Sequence, residues 1–358
     1  SYAESHEVNI VPRDVIEAAK EARILTLLED GSSYMFSSLY MHAYFVAKRI
    51  DDALDLGEPD TDGQIDRLLD EICFPVNREI IVFLAHLRLS SDFPTRLIER
   101  ARRIVGDGAP QDLLDPGKHL SLQPLLGLKV SMMNRERSQK VALFEDCIED
   151  DGNARIGSIE YADYYDNDLR ELKIPIVRAL MAVKYAELAA GYLVKHFARM
   201  PGEAKREIRK AVFQIPQGAA ALAITDIDDR FDGLVSGINK YISDGIKSRS
   251  DAMTRSRRFV SAVSISILYG FMGSVVSHAA DGRATVDYLF GIEDESFGCC
   301  LGELFALLAI GESESFVDLA VKLAGRERRA NHQIELILIK VLVNQYLHEN
   351  DSIGVGAK

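Results

Sequence analysis

Tryptophan is absent from the 358 residues, so any aromatic lining of a site rests on phenylalanine and tyrosine. Cysteine is nearly absent: Cys73, Cys147, Cys299 and Cys300 are the only four, two of them adjacent and none in a Cys-x-x-Cys pair. No histidine cluster accompanies them, which speaks against a disulfide framework or a zinc site and points to a reducing compartment. Positive charge is also short, with 42 basic against 55 acidic residues and a formal net charge of −13. Nucleic acid and anionic membrane both need clustered positive charge, so neither is expected as a main partner. An anionic ligand would need metal ions or a local arginine to offset the surrounding acid. The opening SYAESHEVNIVPRD lacks a signal-peptide core. The most apolar stretch, Val260 to Val276, is interrupted by Ser261, Ser264 and Ser266 and falls short of a clean membrane span. It reads as a buried helix. No integral membrane segment and a cytoplasmic location are therefore expected.

What the chain has in abundance is helical periodicity, broken by short Gly, Pro and Asp punctuation, with few strand signals. Candidate helices cover 12–29, 33–55, 62–74, 78–91, 94–105, 122–148, 157–168, 174–198, 202–232, 234–247, 250–280, 297–310 and 313–347. The segment GDGAPQDLLDPGK, Gly106 to Lys118, is the clearest loop. Composition does not shift along the chain and no internal repeat is visible. The expectation is one all-α domain over residues 1–350, with 351–358 as a flexible tail.

Two acidic clusters stand out. In SYMFSSLYMHAYFVAKRIDDALDLG, apolar and aromatic residues recur at helical spacing (Phe36, Tyr40, Tyr44, Ala47, Ile50, Leu54), and the helix ends in Asp51, Asp52 and Asp55. Asp51 and Asp55, four apart, project from one face a turn apart. That placement is electrostatically poor, because the carboxylates repel each other and oppose the negative end of the helix dipole. Divalent cations repair both faults. Magnesium suits hard oxygen donors and bridges one or two carboxylates to substrate phosphates. The plain alternative is a solvated acidic helix end, but these acids follow an aromatic stripe, as a site for a greasy chain behind a charged head requires.

In FQIPQGAAALAITDIDDRFD, Asp228, Asp229 and Asp232 repeat the pattern, preceded by Gly218, Ala219, Ala220, Ala221 and Ala223. So small a face leaves room for a ligand or, equally, lets two helices pack closely. Pro216 is expected to kink or restart the helix. Facing each other across a bundle, the two clusters would hold metal ions on a diphosphate and stabilise it as a leaving group.

Paired aspartate-rich motifs of this kind resemble the isoprenoid synthase superfamily, which includes chain-elongating prenyl synthases, squalene and phytoene synthases and class I terpene cyclases. SSYMFSSLYMHAYFVAKRIDDALDLGE looks most like the squalene/phytoene synthase branch. The resemblance is specific over Ser32 to Glu58, moderate over Gln214 to Asp232 and weak elsewhere. It implies an isoprenoid-synthase-type helical bundle around a central active-site cavity, and homodimers are common in this superfamily. It also implies Mg2+ ligation by Asp51, Asp52 and Asp55 as the first motif and Asp228, Asp229 and Asp232 as the second. Three features depart from the family's branches. No GGKxxR-type loop is present, as elongating synthases would need. DGLVSGINKYISDG stands where squalene and phytoene synthases carry an Arg-x-Tyr-Leu-Pro-like segment. Asp232 and Ser236 fit the first two positions of the cyclase triad, but Lys240 replaces its final acid. By elimination these departures favour a cyclase resembling the large-terpene synthases.

The same resemblance gives Arg178, after the Pro175 break, the place of a diphosphate-sensing arginine; a solvated helix arginine is the plain alternative. Lys240 and Tyr241 follow the second motif closely enough to reach a bound phosphate. Tyr40, Tyr44 and Phe36 would offer ring faces to a carbocation, although such a stripe is also ordinary core. Three readings follow. The first is a magnesium-dependent lyase acting on a linear isoprenyl diphosphate. The others are a head-to-head prenyltransferase and a non-catalytic helical partner of a prenyl synthase.

Overall fold

The computed structural model describes residues 11–28, 33–88, 92–106, 118–125, 174–242, 249–280, 283–290, 297–330 and 333–351. The expected helix 157–168, most of 122–148, most of the Gly106–Lys118 loop and nearly all of the tail lie outside them. Among the described residues 84% are helical and only two short strands occur, so the chain is all-α. Its packing divides it into two compact units, Ser1–Phe93 and Pro94–Lys358. The division falls in the first turn of a helix, where composition carries no signal.

The first unit contains α1 (Pro12–Glu21), β1 (Leu25–Leu27), β2 (Tyr34–Phe36), α2 (Leu39–Asp55), α3 (Thr61–Asp70) and α4 (Pro75–Leu87). The strands pair antiparallel with Leu25 opposite Phe36 and Leu27 opposite Tyr34. Two expected helices, 12–29 and 33–55, therefore each yield residues to a hairpin. The cause of the second shortening is local. Ser38 is extended (φ −147°, ψ 154°) and its hydroxyl accepts from the Met41 N–H, a standard N-cap that starts α2 at Leu39. Alanines 43, 47 and 53 with Ile50 form the buried side of α2. So small a face lets α2 lie close against α4, whose Ile80, Ile81 and Leu84 are buried. The end of α2 is a Schellman motif: the Glu58 N–H donates to the Ala53 carbonyl at 2.9 Å and the Gly57 N–H to that of Leu54 at 3.2 Å. Gly57 takes φ +63°, which glycine adopts without a Cβ penalty.

The second unit comprises most of α5 (Asp92–Val105), a 3-10 helix (Leu120–Leu125), α6 (Pro175–His196), α7 (Gly202–Asp229), α8 (Phe231–Ile242), α9 (Arg249–Ala279), α10 (Arg283–Phe290), α11 (Phe297–Ile310), α12 (Ser313–Ala330) and α13 (Gln333–Asp351). Helices α6, α7 and α9 pack on one another through faces rich in buried alanine, among them Ala182, Ala186, Ala219 and Ala223. Proline does not restart α7. The helix runs through Pro216, whose missing N–H costs the ladder bond to the Val212 carbonyl, and the neighbouring Phe213 carbonyl accepts from the Gln217 side-chain amide at 2.7 Å. The small-residue stretch is at least partly a packing face, because a Cβ on Gly218 would stand 2.9 Å from the Val105 Cβ of α5. The expected helix 313–347 is two helices, α12 and α13. By length and composition Ala252–Ala279 of α9 is able to cross a membrane, yet half of its apolar window is buried. It packs against α6, α7, α8, α11 and the 3-10 helix. Four of its hydroxyls are satisfied within the helix: Ser256, Ser261, Ser264 and Ser266 each bond the carbonyl four residues back, whereas Ser274 donates to Glu187 of α6.

Candidate functional site

The two acidic clusters lie in different units and are described separately. At the end of α2, Asp51 is nearly buried, with 13% of its side chain exposed, while Asp55 is 66% exposed. Both reach one atom. The Arg88 Nη1, just past the end of α4, donates to Asp51 Oδ1 at 3.2 Å and to Asp55 Oδ1 at 2.8 Å. Lys48, one turn earlier on α2, donates to Asp52 Oδ1 at 2.6 Å and lies 3.5 Å from Asp51 Oδ2. The repulsion anticipated among these carboxylates is thus offset by two side-chain cations. The hydrogen bond to Asp55 leads the upward shift of the Arg88 pKa, opposed by desolvation and reinforced by Asp51. That of Lys48 is pushed up chiefly by its hydrogen bond to Asp52. Arg49 turns away to Glu58, 2.7 Å distant.

The aromatic residues divide. Tyr40, the second residue of α2, is 62% exposed. Tyr44 stands on the same side and meets Phe83 of α4 edge-on, with ring centroids 5.7 Å apart. Phe36 belongs to β2, not to the helix, so its helical spacing with Tyr40 and Tyr44 is not realised. It stacks on Phe45 at 5.5 Å and helps line an open cleft of about 490 Å³ together with His42, Arg49, Ile50 and Arg67.

The second cluster straddles a helix break. The expected single helix 202–232 ends at Asp229, Arg230 forms the junction, and Asp232 lies in the first turn of α8. Asp228 and Asp232 are therefore not neighbours on one helix face, as an i, i+4 pair would be. The junction is anchored by Phe231, buried with Ile227, Val235 and Val260. Arg230 pairs with Asp226 and so faces back along α7. Asp228 is held on both oxygens by the segment leading into the 3-10 helix. His119 Nδ1 lies 2.8 Å from Oδ2, and the Ser121 N–H donates to Oδ1 at 2.7 Å. Asp229 and Asp232 are exposed and have no ion-pair partner among the described residues. With Leu120, Asp228, Gly233 and Leu234 they line a depression of about 440 Å³.

Arg178 is exposed in the first turn of α6, without an ion-pair partner among the described residues. The helix dipole opposes a cation there, so helix stability does not account for the residue. Ser236 and Lys240 are exposed on α8, one and two turns after Asp232.

Spacing pointed to neither Arg88 nor His119. Each comes from a different element and meets its aspartate only through packing. A basic residue at the end of the expected helix 78–91 was the only available signal for Arg88.

Among the described residues no three Asp, Glu, His or Cys side chains gather closely enough to enclose a metal ion. The donor chemistry at α2 nonetheless fits magnesium. Two carboxylate oxygens converge within 3.2 Å of one cationic atom, and this metal takes one or two carboxylates and completes its shell with water and substrate phosphate. The chain matches no protein-family model, and no curated protein or solved structure is recognisably similar to it.

Proposed function

We propose that the protein is a magnesium-dependent class I terpene synthase that ionises a linear isoprenyl diphosphate, working in the cytoplasm with α9 as a core helix. The observation that carries this reading is the convergence of Asp51 and Asp55 on a single cationic point at the end of α2, with aromatic side chains about two to three turns behind it. The second Asp-Asp-x-x-Asp motif supports it by presenting Asp229 and Asp232 to solvent on one depression, beside an Asp228 fixed on both oxygens. When bound, magnesium supplies Lewis-acid stabilisation of the departing diphosphate. The remaining work falls to side chains. Asp51 and Asp55 orient the charged head, and Arg178 offers a planar donor fork for phosphate oxygens. Tyr44 and Tyr40 present ring faces to positive charge on the hydrocarbon.

Incubation with geranyl, farnesyl, geranylgeranyl or longer diphosphates, one at a time with Mg2+, tests the proposal. The expected result is diphosphate release with a cyclised or eliminated hydrocarbon product from a single substrate. Asp51→Asn and Asp229→Asn should each lower the rate by about 100-fold or more, the usual effect of removing one charge-stabilising group. A product containing two joined chains would assign the protein to head-to-head transfer instead. Release unaffected by either substitution would end the proposal.

A further inference from the structure

We propose that Arg88 is a built-in competitor for the divalent cation, latching Asp51 and Asp55 until metal entry displaces its guanidinium. This rests on reading Asp51 and Asp55 as metal ligands. Arg88 contributes one nitrogen, Nη1, to both carboxylates, at 3.2 and 2.8 Å. That nitrogen therefore occupies the point on which the two oxygens converge, and a metal closer to both oxygens would exclude it. Arg88 is the cation among the described residues shown to reach Asp55 and Asp51 from outside α2. Lys48 rides on α2 itself and pairs first with Asp52. The backbone of Arg88 is already extended beyond the last turn of α4 (φ −120°, ψ 125°), so its side chain leaves without unwinding the helix. It is also 35% exposed, so water is at hand to solvate it once displaced. Exposed ion pairs of this kind are weak enough for a doubly charged ion to replace. The latch keeps Asp51 compensated in the metal-free protein, where a nearly buried carboxylate beside two others would otherwise be costly.

Calorimetric titration of the purified full chain with MgCl2, with Mn2+ as a paramagnetic check, separates this idea from the reading beneath it. Arg88→Gln should bind metal about fivefold more tightly than wild type, the factor by which losing one such competing pair shifts an equilibrium. Arg88→Lys should fall between them, because a point charge serves two carboxylates less well than a fork. Asp55→Asn should bind more weakly than wild type. Equal or weaker binding by Arg88→Gln, with Asp55→Asn still impaired, overturns the latch and leaves the metal site standing. Binding indifferent to Asp55→Asn and Asp51→Asn removes the metal site, and the latch with it. A readout on wild type covers the case in which Arg88→Gln fails to fold. Phenylglyoxal labelling of Arg88, followed by mass spectrometry, should rise on saturation with Mg2+, and labelling that does not rise overturns the proposal.

Discussion

His119 and Asp228 meet at 2.8 Å, joining the start of the 3-10 helix to the last turn of α7. With the Ser121 N–H on its other oxygen, Asp228 caps that short helix as well as belonging to the second acidic motif. His119→Ala should weaken the attachment by about 1 kcal/mol, the usual net worth of one hydrogen bond. In a double-mutant cycle with Asp228→Asn, urea unfolding should return a coupling of about 1 kcal/mol. Strict additivity would mean that the contact contributes nothing.

Gly57 gives a cleaner case, because a Cβ there meets no atom within 4 Å and only the backbone angle matters. Gly57→Ala should cost about 1–2 kcal/mol, the penalty for a left-handed L-residue. Gly57→Asn should cost less, since asparagine tolerates that conformation. Thermal melts of the three proteins would rank them.

At Gly218 the balance runs the other way. Alanine would favour the helix by about 1 kcal/mol, but its Cβ would stand 2.9 Å from the Val105 Cβ, and overpacking of this kind costs about 1–3 kcal/mol. Gly218→Ala should therefore destabilise wild type. In a Val105→Gly background, with the obstructing side chain gone, the same change should become neutral or stabilising.

The acid dependence of stability has one identifiable contributor. The hydrogen bond from Arg102, 3.1 Å away, holds the Glu207 carboxyl below the usual range, with burial opposing and Lys210 adding a second hydrogen bond. A carboxyl depressed in the folded state stabilises above its unfolded pKa, and that stability is lost as pH falls through the folded value. Glu207→Gln should thus be less stable than wild type at pH 7, and the two curves should converge below roughly pH 4. Since Glu207 is 42% exposed, the gap should be well under about 1 kcal/mol. A gap unchanged between pH 7 and pH 3 would remove Glu207 from the account.

Much of the helical plan was legible because helix signals are local. Pro75 and Pro175 stand at helix starts, Gly57 just past a helix end, and α11 was expected at the residues where it lies. The errors share a cause. Phe36 kept helical spacing with Tyr40 and Tyr44, yet the Ser38 cap and the pairing of Phe36 with Leu25 drew it into a strand. The DDRFD segment read as one helix, but burial of Phe231 beside Val260 of α9 accompanies a break at Arg230. Pro216 was expected to kink or restart the helix, and α7 does not restart there. Packing outweighed local preference in each case.

By itself the amino-acid sequence determined the all-α class, most helix positions and the two acidic motifs, because these follow from hydrogen bonds and side-chain spacings within a turn or two. Only the tertiary structure decided what the acids meet: Arg88 between Asp51 and Asp55, and His119 on Asp228. Those partners are 33 to 109 residues away in the chain, and no periodicity reaches so far. Such contacts exist because packing brings separate elements together, and a carboxylate leaving water takes the nearest cation or N–H that packing has delivered.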